Sequence, residues 1–426
     1  MSRSNRIQEK HPCYLDLFAG AGGLSEGFYR AGFRPVAHVE LAPSACYTLR
    51  TRAAMHWLFE RKKEHIYISY LNGTISRDEL YGYIPHKILS SIINAEIGKK
   101  ELPSIFSKID ELAEQKNIDI IIGGPPCQAY SLIGRSRDSN KMIGDKRNYL
   151  YQYYSLFLDR YRPKFFVFEN VTGLLSAKDR KGKKYIDSMK ESFYESGYEI
   201  ETKLLSAKEY GVLQNRKRII IIGKRRKNNF VFPELLNWNP EIFVNEIFKD
   251  LPSIQSGSGS TSPCKPLVYR GKYLYKSKIK NDIIPITWHI SRPNTEQDLE
   301  IYRIAVRNWN NGHQRLHYND LPDRLKTHKN RQSFTDRFKV VEGDLMHAHT
   351  IVAHISKDGH YYIHPDIKQN RSITPREAAR LQSFPDDYYF ESESGTPSRT
   401  SAFHQIGNAV PVLLSESIAN GLLSKW

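Results

Sequence analysis

The sequence predicts an α/β fold: a mostly parallel sheet covered by helices on both faces, with a second, smaller basic domain after it. Three observations carry this. Short, nearly continuous apolar runs alternate with helical patterns through the first half of the 426 residues. Strands that apolar are buried on both faces, as in parallel sheets. Past about residue 250 the alternation stops, and Lys, Arg, His and Tyr become frequent. Finally, 63 Lys+Arg against 46 Asp+Glu leave a net charge of +17. That surplus favours a polyanionic partner, nucleic acid first.

The elements follow in order. "CYLDLFAG" reads as a buried strand entering a glycine-rich turn, and "RPVAHVE" as a second strand. "IDIIIGG", "PKFFVFENV" and "RIIIIGK" read as a third, fourth and fifth. Residues 148–162, "NYLYQYYSLFLDRYR", predict a helix between two of them. Residues 50–117 exceed what a crossover needs and read as an insertion with two helices, "HKILSSIINAEIG" and "LPSIFSKIDELAEQ". "SIQSGSGSTSP", residues 253–263, reads as a flexible Ser/Gly segment. Beyond it, "YRGKYLYKSKIK" and "THKNRQSFTDRFK" mix basic and aromatic residues, and "HTIVAHISKDGHYYIHP" predicts a β-hairpin with Asp-Gly near its turn. In "RSITPREAARLQSFPD", Thr374 before Pro375 predicts a capped helix.

Cys13, Cys46, Cys127 and Cys264 are scattered, with no metal-type pair and no disulfide pattern, so no metal site is expected and a reducing compartment fits. The polar N-terminus "MSRSNRIQEKHP" has no signal region. No apolar run approaches the ~18 residues of a membrane span. A cytoplasmic protein away from membranes is the expectation.

The candidate site lies at strand ends. In "DLFAGAGGLSEGF", Gly20, Gly22 and Gly23 follow the first strand, and glycines permit a tight turn and close approach of backbone to a ligand. Glu40 closes the next strand, where an acid can accept from ribose hydroxyls. Together they suggest an adenosine-containing cofactor; a dinucleotide stays open on these residues alone. "GGPPCQAYS" mounts Cys127 after Pro125 and Pro126. Proline fixes φ and restricts the residue before it, so the pair presents Cys127 stiffly toward the same crevice. A structural cysteine is the commoner role, but this placement favours a nucleophile. Glu169 ends "KFFVFENV", where a carboxyl group can move a proton. Arg216 and Arg218 in "QNRKRIIIIG" share one face if they lie in a strand.

In order along the chain, "DLFAGAGGLSEGF", "GGPPCQAYS", "FENV", "QNRKR", "RSITPREAARLQSFPD" and "QIGNAVP" span residues 16–411. With these elements the chain resembles the cytosine carbon-5 DNA methyltransferases, of the bacterial restriction–modification type. The resemblance implies a Rossmann-like S-adenosylmethionine-dependent methyltransferase sheet with a smaller target-recognition domain. It divides the chain into a catalytic domain over 12–245, a target-recognition domain over 246–395 and a return to the catalytic domain over 396–426. It implies that Phe18, Ala19, Gly20, Gly22, Gly23, Leu24, Glu40, Pro125, Asn408 and Val410 hold S-adenosylmethionine. The family's acidic-loop element has "EIG", residues 96–98, as its stand-in here.

The resemblance also implies the chemistry. Cys127 adds to carbon 6 of cytosine, and Glu169 holds and protonates ring nitrogen 3. Arg216 orients the base, and Arg218 supports the site. The target base is extruded from double-stranded DNA into the pocket, and the loop "QAYSLIGRSRDSNKMIGDKR" closes over it. A cognate restriction endonuclease and a monomeric state are expected. Methylation of transfer RNA by the same chemistry, or an inactive DNA-binding relative, are the alternatives.

Overall fold

The computed structural model describes residues 11–126, 146–226, 230–332 and 335–426. Cys127 and the loop that follows it to residue 145 lie outside the described residues. Seven strands form the main sheet: β1 (Cys13–Leu17), β2 (Arg34–Glu40), β3 (Ile92–Asn94), β4 (Ile120–Gly123), β5 (Phe165–Asn170), β6 (Tyr198–Ser206) and β7 (Lys217–Arg225). Their order is β3-β2-β1-β4-β5-β7-β6, all parallel except β7, which runs antiparallel between β5 and β6.

The five apolar runs are β1, β2, β4, β5 and β7. Their side chains alternate between two cores. Leu15, Leu17, Ile121, Phe166 and Phe168 face helices Leu102–Ala113, Leu150–Tyr161 and Tyr185–Glu195. Tyr14, Ile120, Ile122, Phe165 and Val167 face helices α1 (Gly23–Arg30) and Val412–Leu423. Continuous hydrophobicity was therefore the right signal for strands covered on both sides.

The remaining strands have a different origin. β3 lies inside "HKILSSIINAEIG", which the pattern assigned to a helix. The helix there stops at Ser90, and three residues then pair with the end of β2. The 50–117 segment thus supplies the sheet's edge strand as well as helices. β6, "YEIETKLLS", is an edge strand whose Glu201, Leu204 and Lys203 are not buried, so its half-polar sequence carries no apolar run.

Residues 246–395 contain little regular structure. Trp288, Ala378, Ala379, Leu381 and Phe384 form their own core with Phe403 and Ile406. Two expectations are corrected here. The Ser/Gly segment is pinned: Gly259–Ser260 pairs antiparallel with His289–Ile290. The stretch from His349 to Pro365 is no hairpin, but a short turn at Ala353–Ser356 with Ile363 bridged to Val340 and Ser372. Asp-Gly turns the chain there, and the flanking residues pair elsewhere. The Thr374 cap is present, accepting from Glu377 N while Glu377 accepts from Thr374 N.

The C-terminal helix returns to the first region. A Cβ at Gly27 would lie 2.4 Å from Glu416 N, so α1 and Val412–Leu423 touch backbone to backbone. Among the described residues one stretch, Arg399–Leu423, is long and apolar enough to cross a membrane by composition; it is 72% buried inside the fold. That stretch is two helices, Arg399–Asn408 and Val412–Leu423, whose hydrophobicity serves the core.

Candidate active site

The strand ends converge on one edge of the sheet. β1 runs into a loop with three positive φ angles: Phe18 at 57°, Gly20 at 55° and Gly22 at 82°. Two functions of glycine differ here. At Gly20 no atom lies within 4 Å of where a Cβ would stand, so only the backbone angle asks for glycine. At Gly23 a Cβ would stand 2.3 Å from Val410 O, so close approach of the return segment asks for it.

Glu40, at the end of β2, buttresses this loop. Gly20 N donates to its Oε2 at 2.8 Å and Ala42 N to its Oε1 at 2.7 Å. Each oxygen keeps a further lone pair for a ligand hydroxyl. Beyond β3, next in the sheet, comes the exposed Glu96 of "EIG". Asn408 is exposed on the segment that brings Val410 to Gly23. Ala19, Leu24, Pro125 and Val410 are buried, and Leu24 and Val410 pack in the apolar core beneath α1, leaving only their backbone for a ligand.

Sequence reasoning passed over Asp16. It stands in the apolar strand β1, 1% exposed, and among the described residues neither carboxyl oxygen has a hydrogen-bond partner. Burial, with Glu40 nearby, pushes its carboxyl well above the usual range. The signal was present: an acid within an otherwise apolar strand, at the mouth of the glycine loop.

The other half of the edge is built by β4, β5 and β7. Gly123 has φ 151°, and a Cβ there would meet Leu17 O at 2.1 Å, so β4 ends hard against β1. A Cβ on Gly124 would meet Glu169 Oε2 at 2.6 Å. The chain leading to Pro125 and Cys127 therefore passes directly over the Glu169 carboxylate. Arg218 Nε lies 2.6 Å from Glu169 Oε1, and both side chains keep a little exposure, 12% and 14%. The register explains the pair: Glu169 lies opposite Ile220, two residues from Arg218 on the same face of β7.

Arg216 does not share that face. The strand begins at Lys217, and the chain turns just before it, with Arg216 N donating to Gln214 O. Arg216 is 1% exposed, and its guanidinium donates to Ile351 O, Gly407 O and Ala409 O. Arg218 meets the acid at the crevice, and Arg216 ties the return segment into place. Gln214, also buried and not singled out in the sequence, binds Leu381 O and Gln382 beside it and accepts from Ile351 N.

Among the described residues no group of three or more His, Cys, Asp or Glu could hold a metal ion. The site offers open space at Gly20 beside the Glu40 carboxylate. Beside it stands the Glu169 carboxylate paired with the Arg218 guanidinium, at the approach to a cysteine.

The family model for C-5 cytosine-specific DNA methylases matches residues 13–75 and 91–424. The type II methyltransferase M.Bpa9945I of Bacillus paralicheniformis is 40% identical over 449 residues, covering 96% of this chain and 98% of the relative. The type II methyltransferase M1.HphI of Haemophilus parahaemolyticus is 29% identical over 416 residues, covering 96% and 86%. A prophage-encoded E. coli protein, crystallised under the description of a DNA modification methyltransferase, shares the fold. Its TM-score is 0.62 at 23% identity, over 97% of this chain and 99% of that one.

Proposed function

The chain belongs to the C-5 cytosine-specific DNA methylase family, and from that premise we propose how it acts: it methylates carbon 5 of a cytosine flipped out of duplex DNA, through a covalent adduct with Cys127, using S-adenosylmethionine. The observation that carries this reading is the Glu169–Arg218 pair, with the backbone of Gly123 and Gly124 running over it into the Pro-Pro-Cys segment.

The residues fit the cofactor. The open space at Gly20 admits a ligand against the backbone, Glu40 offers carboxylate oxygens to a ribose, and the buried Asp16 carboxyl awaits a polar partner. Bound there, S-adenosylmethionine supplies an electrophilic methyl group to carbon 5. Everything else falls to the chain. The Cys127 thiolate forms a bond to carbon 6, and the ring electrons move toward carbon 5. Glu169 delivers a proton to ring nitrogen 3, which neutralises the developing charge. Arg218 holds Glu169 in place and faces the carbonyl side of the base. After methylation, a water molecule takes the carbon-5 proton, ring nitrogen 3 returns its proton to Glu169, and the carbon–sulfur bond breaks to return Cys127 as the thiolate.

Residues 246–395 serve as the target-recognition part, with cations on phosphates and polar side chains on base edges. The relatives' names, type II methyltransferases, support membership of a restriction–modification pair.

The test uses duplex DNA carrying 5-fluorocytosine, from which the carbon-5 position cannot release a proton. Wild-type protein with cofactor should form a denaturation-resistant adduct, and Cys127→Ser should form none while still binding DNA. An adduct in the serine variant, or none in the wild type, overturns the reading. Parallel assays with transfer RNA expose the alternative substrate.

A further inference from the structure

We propose that Tyr388 is a positioning residue for the cofactor: its hydroxyl props the glycine loop in the shape that receives the ligand. The proposal rests on the reading that this loop holds S-adenosylmethionine. Tyr388 is 1% exposed and lies in "FPDDYYF", 367 residues from the loop it touches. Its Oη donates to the carbonyl of Ala21, between Gly20 and Gly22. A Cβ on Gly22 would stand 2.8 Å from that same oxygen. The hydroxyl therefore fixes one carbonyl and fills the space a side chain at position 22 would need.

The strut is itself braced. The Arg52 guanidinium lies 4.8 Å over the Tyr388 ring, and Glu26 and Asp387 hold it at 2.6 Å and 2.7 Å. Phe384 and Phe390 pack on the ring, with centroids at 4.7 and 5.4 Å. Arg376 donates to Pro385 O and, at 2.8 Å, to Tyr388 O, so the turn carrying the tyrosine is gripped from behind.

A second, independent feature gives the strut its importance. Behind the loop lies a cavity of about 230 Å³, bordered by Gly22, Ser25, Leu49, Arg52 and Tyr388. The loop is not backed throughout by packed core. Without the hydroxyl, the buried Ala21 carbonyl loses its partner and the loop has room to turn away. A ligand must then first restore the loop, which weakens its binding and leaves the bound state unaltered.

The measurements compare wild type with Tyr388→Phe, which removes one oxygen and keeps the ring. Calorimetric titration with S-adenosylhomocysteine should show Kd raised about tenfold. KM for S-adenosylmethionine should rise in parallel, while kcat and the affinity for duplex DNA stay within twofold. An unchanged Kd or a fall in kcat at constant Kd overturns the proposal. So does a parallel loss of cofactor and DNA binding, which marks mere damage to the fold. Wild-type protein that fails to bind S-adenosylhomocysteine refutes the cofactor reading instead.

Discussion

Two clusters of charge in this molecule are built from the same side chains for opposite ends. At the sheet edge, Glu169 and Arg218 make one ion pair and stay 14% and 12% exposed. In the second region, Arg380 meets Asp250 at 2.5 Å and Asp386 at 2.6 Å, and all three side chains are 0–1% exposed. Arg380 also donates to Ile247 O. The sealed cluster has its hydrogen bonds made internally and joins three stretches of chain that carry no common sheet or helix. The open pair leaves donor and acceptor capacity facing the crevice. Burial decides which: a charge with every partner inside is a fastener, and a charge with one partner and a view of solvent is a reagent.

Arg380 carries the larger effect. Arg380→Met keeps the volume but removes the cation the two acids share, leaving Asp250 to Lys280 at 2.9 Å and Asp386 to Arg376 at 3.9 Å. Losing one side of a buried pair costs about 3–5 kcal/mol, and urea unfolding should register it. A loss below about 1 kcal/mol would mean that the cluster fastens nothing. Arg218→Gln should do the reverse. Methylation should fall by about 100-fold or more, within the range for a positioned proton-transfer group, while the unfolding midpoint barely moves. If stability and activity fall together at Arg218, the open pair is a fastener too.

The same contrast explains how far the sequence could be read. The strands at the centre announced themselves, because burial on both faces leaves no choice but apolar residues. The loop glycines were legible because their angles and contacts demand that residue type. The basic character of the second region was legible only as a sum. Arg371, Arg376 and Arg380 count toward the net charge yet are 0–1% exposed and bind carbonyls and carboxylates. Composition does not distinguish such a staple from a phosphate contact. Arg216 and Arg218 went astray for a related reason: two-residue spacing implies one face only while the strand lasts, and β7 starts between them. Tyr388 had no local signal at all, since its partner is the carbonyl of Ala21 at the other end of the chain.

Acid has the smallest effect on the two regions. His38 sits behind the cofactor loop, its Nε2 on Ser25 Oγ, and His364 sits in the second region beside Glu377 and Arg371. Burial holds each imidazole down at about 4, against an ordinary value of 6.5. Below 6.5 the unfolded chain therefore takes up protons that the folded one refuses. The stability these residues contribute is complete above 6.5 and drains as pH falls toward 4. Each histidine adds a slope of up to about 1.4 kcal/mol per pH unit within that window. His38→Gln and His364→Gln should each flatten the decline measured by urea unfolding between pH 6.5 and 5. If the two regions unfold as one body, both substitutions flatten a single transition. If the sealed cluster holds the second region together independently of the sheet, two transitions appear, and each substitution flattens only its own.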